Sequence, residues 1–367
     1  MKHFDCIVIG GGIIGLFSAY EMSMRGHSVL LVDKDEIGSK APPSSAGVLI
    51  PYHPWRYDRA ISQLVHLSQK RYLPILKHLV KYTGQDLNYW TSGMLLCGVN
   101  EEESANWLGG YDIPFKWLSA ADIKPKVGNI QTKFQKALWL ESIAQLSPAG
   151  LAQALVKFLA QQPDVTLMSH SVANIRYGHE KVLGIEVEDE KFGSSSVIVT
   201  AGAWTPQILE ESFPLTLIRH QSLTYDLPAG LVKSIFVEDG LQIIPTRDGK
   251  VYIGSDNLQM GFDRQTNEDD KYQLQALAET FLPCLKDYQP LNYWEGLNSR
   301  SDSGIPIIAE HPKYRRLFLN TGFFKLGLQV APASAYTLAN IIEGTQSAID
   351  VRHYRMPMSN NTTAHAK

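Results

Sequence analysis

Apolar positions at the start of the chain fall into blocks whose spacing differs. Phe4–Ile9 is a short run rich in β-branched residues, the mark of a buried parallel strand. From Ile13 to Arg25 the apolar residues Ile13, Ile14, Leu16, Phe17, Tyr20 and Met24 recur at helical spacing, and Gly26 supplies a left-handed stop. Val29–Val32 is a second strand and ends on Asp33. Farther along, 58–81 reads as a long helix, and Ser147-Pro148 before LAQALVKFLAQQP reads as a capped helix with proline at its first position. Val165–Met168 and Val197–Thr200 read as strands, and short β runs with turn residues fill 215–256. The closing NNTTAHAK reads as a frayed tail.

The first blocks make a β-α-β unit of about 30 residues, the size of a nucleotide-binding motif. Between strand and helix stands GGGIIG, in which Gly10, Gly12 and Gly15 form a G-x-G-x-x-G frame. The first glycine permits the tight turn, the second lets backbone approach a pyrophosphate, and the third lets helix pack closely on strand. The start of the helix, with Ile13 and Ile14, offers unpaired N–H groups and a positive partial charge to phosphates. Asp33, with Lys34 after it, is placed to accept hydrogen bonds from a ribose diol, and its carboxylate disfavours a 2′-phosphate. A bare glycine-rich turn is common in α/β proteins; here strand, helix, second strand and acidic terminus share one register.

Length changes the picture only by adding a domain: 367 residues suggest two. A net charge of −3 with mixed signs lacks the clustered basic footprint of nucleic-acid binding. Cys6, Cys97 and Cys284 form neither a zinc spacing nor a disulfide framework, which makes a reducing compartment the expectation. The amino terminus lacks a signal-peptide pattern, and no apolar run reaches the roughly 18 residues of a spanning helix. A cytoplasmic protein with no integral membrane segment is expected.

The stretch after Asp33 returns to small and hydroxyl residues: Ser44, Ser45, Ala46, Gly47, Val48. With it the chain resembles the D-amino-acid oxidase superfamily of FAD enzymes, especially the bacterial glycine oxidases of the thiazole pathway and DadA-like relatives. The likeness is carried by SSAGVLIPYHPWRY (44–57), SVIVTAGAWTPQIL (196–209), IIPTRDGKVYIGSD (243–256), YWEGLNSRSDSGIPIIA (293–309) and LFLNTGFFKLGLQVAPASAYTLANIIEG (317–344), in the family's order. It implies an α/β fold: a Rossmann-like FAD-binding domain of the GR2 flavoprotein type plus an α+β substrate domain with an antiparallel sheet. The first would be assembled from 1–82, 145–212 and 301–355, the second from 83–144 and 213–300, leaving 356–367 as a tail. The resemblance also places Val172 at the adenine, and Ala201 and Gly202 where the chain passes the cofactor. Gly322, Phe324, Lys325, Leu326, Gly327 and Leu328 fall at the flavin ring, and Pro332 opens the last helix. The stretch 296–304 has no cysteine, so noncovalent FAD is expected.

In the family a hydride leaves the substrate carbon beside an amine for flavin N5, the imine is hydrolysed, and oxygen gives hydrogen peroxide. An arginine clamps the substrate carboxylate. Here Asn298 occupies the usual arginine position, and Arg300, two residues on along an extended segment, keeps the same face. Arg300 is expected to take over the clamp; the alternative is a surface arginine pairing with Asp302. Lys325 stands where glycine oxidases commonly carry a second arginine, and Gln242 where a substrate-facing tyrosine is common. Arg56 reads as a further cation or a loop anchor, His220 as an ordinary sheet residue, and Trp90, Trp107, Trp117 and Trp139 as core. The implied partners are a small amine or amino-acid substrate and O2 or another electron acceptor, and a homo-oligomer is left open. A dehydrogenase passing electrons to a quinone or protein and a non-catalytic FAD-binding protein are the competing readings, and no metal site is expected.

Overall fold

The computed structural model describes residues 1–39, 46–255, 260–261 and 268–357, with side chains left aside at 173, 260, 261 and 268. Ser44, Ser45 and the tail NNTTAHAK lie outside the described residues. Strand β1 (Lys2–Ile9), helix α1 (Ile13–Met24) and strand β2 (Val29–Asp33) follow the apolar blocks closely.

β1 lies inside an eight-stranded sheet among the described residues. It pairs in parallel with β2 on one side and with the strand Glu190–Val199 on the other. Val165–Ser169 extends the sheet beyond β2, and Leu317–Thr321 extends it beyond Glu190–Val199, again in parallel. Both faces are covered, which is why these strands read as continuous apolar runs rather than alternating ones. The carboxyl ends of five parallel strands therefore meet at one edge, where the chain order reverses on either side of β1. Ligands of open α/β sheets bind at such a reversal.

The second sheet has nine strands among the described residues, and the strand Leu215–Asp226 is its hinge. That strand pairs antiparallel with Lys250–Ser255 and along its length with Asn292–Ser301. Lys250–Ser255 in turn forms a hairpin with Leu241–Pro245, turning at Asp248-Gly249 as the sequence suggests. The sheet is not wholly antiparallel: Ile235–Glu238 runs parallel to Met94–Cys97. Those two strands come from separate stretches of chain, so no tight hairpin forces them to oppose.

The long helix is Arg59–Thr83, capped by Asp58, whose carboxylate accepts from the Ala60 N–H. It packs against the last helix, Gly327–Glu343. Here the expectation needs correction: Pro332 does not open that helix but lies inside it, five residues past its start. A proline within a helix lacks the N–H that would bond the carbonyl four residues back. That carbonyl belongs to Leu328, and the Tyr72 hydroxyl of the long helix donates to it instead. One residue on, the Ala333 N–H finds the Ser68 Oγ at 3.1 Å. Burial pushes the Tyr72 phenol well above its ordinary range, which keeps the proton needed for this donation. The long helix thus supplies the polar partners that let the last helix continue through its proline.

Replacing Tyr72 by Phe removes the buried partner of the Leu328 carbonyl and should cost about 1–3 kcal/mol of stability. Urea unfolding of the two proteins side by side measures this; equal midpoints would show that the carbonyl has another partner.

Candidate FAD and substrate site

The turn after β1 is fixed by backbone contacts. Gly10 has φ +112°, and a Cβ there would stand 2.6 Å from the Thr200 carbonyl oxygen. A Cβ on Gly15 would fall inside the Gly10 carbonyl oxygen, so α1 touches the end of β1 only because that position is bare. Thr200 ties in the neighbouring strand, its Oγ1 donating to the carbonyls of Ile9 and Gly10 at 2.9 Å. Gly12 differs from both: nothing lies within 4 Å of where its Cβ would be. It caps α1 without a side-chain hydrogen bond, and no acidic residue occupies the first turn. The result is an open cradle edged by unpaired N–H groups, suited to an anion.

Asp33 closes one side of this cradle. Its Oδ2 accepts from the Gly11 N–H at 2.6 Å and its Oδ1 from the Asp35 N–H at 2.8 Å, and each oxygen keeps a second lone pair. Lys34 places its Nζ 4.2 Å from the ring centre of Trp204, an exposed side chain at the cavity edge. Ala201 and Gly202 follow the strand Glu190–Val199, and Gly202, like Gly12, has no atom within 4 Å of a Cβ position. Val172 stands just past Ser169, the register partner of Asp33. Of the second loop, Val48 gives its carbonyl to Gln329 Nε2 at 3.1 Å. Gly47, after Ala46 at φ 45°, has a nearer reason to be bare: a Cβ would collide with the Leu146 carbonyl.

The strand Leu317–Thr321 delivers the bend Gly322–Leu328 into the same crevice. Phe324 holds φ +52°, a left-handed conformation that bulky residues seldom adopt. Gly327 and Leu328 begin the last helix, so its amino terminus faces the crevice without a side-chain cap. One cavity of about 460 Å³ joins these parts, from Gly12 and Ile14 past Gly202 and the 322–329 bend to the second sheet. Two buried acceptors on its wall, Asn320 Oδ1 and Gln329 Oε1, have no protein partner among the described residues. A bare cradle at one end and orphaned acceptors along the wall fit an extended polar cofactor. Residues 5–341 match the family of FAD dependent oxidoreductases.

The chain belongs to that family, and it is an FAD-dependent oxidoreductase. It is 31% identical over 354 residues to the glycine oxidase of Pseudomonas aeruginosa, covering 95% of this chain and 97% of that one. The glycine oxidase of Pseudomonas putida is 28% identical over 95% of this chain and 97% of its own. The crystal structure of glycine oxidase from Geobacillus kaustophilus superposes with a TM-score of 0.87 at 21% identity, over 98% of this chain and 99% of that one. The last comparison speaks to the fold, and it agrees with the architecture implied by the five matching segments.

The wall opposite the 322–329 bend of this flavoprotein is one face of the second sheet. Alternation along the strands puts Gln242, Ile244, Tyr252, Gly254, His220, Trp294 and Asn298 on that face, and all line the cavity. Glu295 also borders it, but its carboxylate takes the Tyr293 hydroxyl at 2.7 Å and lies 3.8 Å from Arg219, on the other face. Burial pushes the Tyr252 phenol up, so it stays a neutral donor near pH 7.

The four residues expected to handle substrate are not all together. Gln242, Asn298 and Lys325 border the main cavity. Arg300 keeps the face of Asn298, as its two-residue offset requires, but stands one step farther along the strand, where it pairs with Phe323. It lines a smaller chamber of about 170 Å³, shared by Tyr57, Phe323, Phe324 and Lys325. Asp302 is engaged by the Thr216 hydroxyl at 3.0 Å. Arg56 is exposed and borders neither chamber, whereas its neighbour Tyr57 borders both. Sequence reading did not place Tyr57, Tyr252 or Trp294 at the site and took His220 as an ordinary sheet residue; alternation from Asn298 along its strand reaches Trp294, and the Asp248-Gly249 hairpin sets Tyr252 opposite Ile244.

Two glycine substitutions separate cradle from packing. Gly12→Ala has room to fold yet fills the cradle, so the apoprotein should unfold normally while FAD affinity falls at least ~10-fold. Gly15→Ala should instead lose about 1–3 kcal/mol of stability through overpacking. Flavin fluorescence titration and thermal unfolding read the two effects, and unchanged FAD affinity in Gly12→Ala would move the pyrophosphate elsewhere.

Proposed function

We propose that this flavoprotein oxidises the C–N bond of a small amine or amino acid, of the glycine, sarcosine or D-amino-acid class, with dioxygen as final acceptor. One arrangement supports this reading: a single cavity has the glycine cradle at one end and a polar sheet face across from the 322–329 bend. Bound FAD supplies a hydride acceptor there.

The protein's part is to bind and orient. Gly10, Gly12, Ile13, Ile14, Gly15, Asp33 and Lys34 hold the dinucleotide half, together with Val172, Ala201, Gly202 and the loop around Val48. The bend from Gly322 through Leu328 holds the ring, and the uncapped start of the last helix favours negative charge beside it. Lys325 is the only lysine or arginine lining the main cavity among the described residues, and we assign it the substrate carboxylate. Arg300 assists from the side chamber, where Lys325 also borders the space. Asn298 and Gln242 offer neutral hydrogen bonds on the sheet side. An amine that arrives neutral needs no side-chain base, and the one carboxylate bordering the cavity among the described residues, Glu295, faces away toward Tyr293 and Arg219. Tyr52, Tyr57 and Ile244 shield the reacting carbon from water. The imine product is hydrolysed by water to the carbonyl compound and the released amine, and two electrons pass to O2 to give peroxide. We place the reaction in the cytoplasm, in keeping with three free cysteines.

Anaerobic flavin bleaching with glycine, sarcosine and D-alanine tests the reading directly, followed by peroxide assay in air. Lys325→Met should raise the substrate dissociation constant ~10- to 100-fold, the loss of a charge-assisted hydrogen bond, and Arg300→Ala should raise it less. Should Arg300→Ala prove the more damaging of the two, the carboxylate belongs in the side chamber.

A further inference from the structure

Two glycines shape the sheet wall. Gln242, Gly254, Ser222 and Trp294 stand in one row across four strands, and His220 stands opposite Gly296 in the next. Because Gly296 is bare, the Trp294 indole folds down over it; a Cβ there would meet the ring. Because Gly254 is bare, His220 leans across it. A Cβ on Gly254 would stand 3.2 Å from Gln242 Oε1 and 3.6 Å from His220 Nε2, so both atoms converge on one spot. Gln242 is 2% exposed, and its Nε2 donates to the Gly240 carbonyl at 2.6 Å. That bond fixes the carboxamide, leaving Oε1 as an acceptor on the histidine side.

The cavity is thus divided by chemistry. Lys325 puts positive charge at the bend, while the wall presents a fixed acceptor beside an imidazole nitrogen. We propose that His220 is a specificity-determining residue: with Gln242 Oε1 it recognises a neutral polar group, a hydroxyl or carboxamide, on the carbon substituent of the substrate. The proposal rests on the amine-oxidising reading and names a narrower substrate class within it. A hydroxyl seated at that spot donates to Gln242 Oε1 and lies against the His220 imidazole nitrogen. A methyl or hydrogen in its place leaves a desolvated acceptor unpaired, and sites built to bond a hydroxyl reject analogues lacking it far more strongly than apolar pockets reject a methylene. A second carboxylate would set its oxygens against Gln242 Oε1.

The test uses the full-length holoprotein and two matched pairs of small molecules. D-serine and D-alanine are compared by anaerobic flavin reduction in stopped flow; D-glycerate and D-lactate, which lack the amine, are compared by equilibrium titration of the flavin spectrum. The hydroxyl-bearing member of each pair should bind at least ~10-fold more tightly. His220→Ala should shrink that preference to within ~2-fold, chiefly by weakening the hydroxyl-bearing member, and His220→Gln, which keeps a side-chain N–H, should restore part of it. Equal binding within both pairs in the unaltered protein overturns the proposal, as does a preference that survives His220→Ala. If neither amine reduces the flavin but D-glycerate still outbinds D-lactate, the oxidase reading fails and the recognition pair stands. If His220→Ala does not retain flavin, His220→Gln and Gln242→Leu carry the comparison: the first keeps the preference and the second loses it, and any other pattern overturns the pair.

Discussion

The first turn of α1 presses against the carbonyl of Gly10, backbone on backbone, with no room for a methyl group between them. From that contact the geometry of the cofactor end follows. It holds the helix axis against β1, so the unpaired N–H groups at Gly12 and beyond are aimed into the crevice rather than along the sheet. Thr200 and Asp33 then fasten the two flanking strand ends to the same turn, through the Ile9 and Gly10 carbonyls on one side and the Gly11 N–H on the other. Three strand termini are thereby held in fixed relation by short polar contacts, as a long ligand spanning them requires.

A second helix start matters at the far end of the cavity, and it is held differently. The last helix reaches back to Gly327 because Tyr72 and Ser68 take over hydrogen bonds disturbed around Pro332. Without those partners the buried carbonyl of Leu328 would be unsatisfied, and the helix would gain by beginning at its proline. Its first turn would then leave the crevice wall. The long helix Arg59–Thr83 therefore serves the site without entering it at these two residues.

Much of the fold could be read from local pattern. The β-α-β opening, the Asp58-capped helix, the Ser147-Pro148 start and the hairpin around Asp248-Gly249 are set by spacing and turn chemistry within a few residues. The shape of the glycine turn was legible for the same reason. What escaped depended on partners distant in the chain. Pro332 looks like a helix start until Tyr72 is known to stand beside it. The parallel joint between Ile235–Glu238 and Met94–Cys97 links stretches more than a hundred residues apart and leaves no mark in either. His220 looks like any sheet residue because its importance comes from the absence of side chains at Gly254 and Gly296 on neighbouring strands. Arg300 kept its predicted face, but parity along a strand says nothing of the phenylalanines that separate one chamber from the next. At Gly47 the close approach of the Leu146 carbonyl, distant in the chain, already requires a bare position.

The strand Asn292–Ser301 belongs to the wall for most of its length, yet its end is stitched to the bend. The Ser301 N–H donates to the Gly322 carbonyl at 3.3 Å, and Arg300 pairs with Phe323. Wall and bend are consequently rigidly geared: an insertion or deletion between Asn298 and Gly304 would slide one against the other and spoil both. Exchanges of side chains at fixed chain length, by contrast, leave this joint intact and alter only what the wall presents to the cavity.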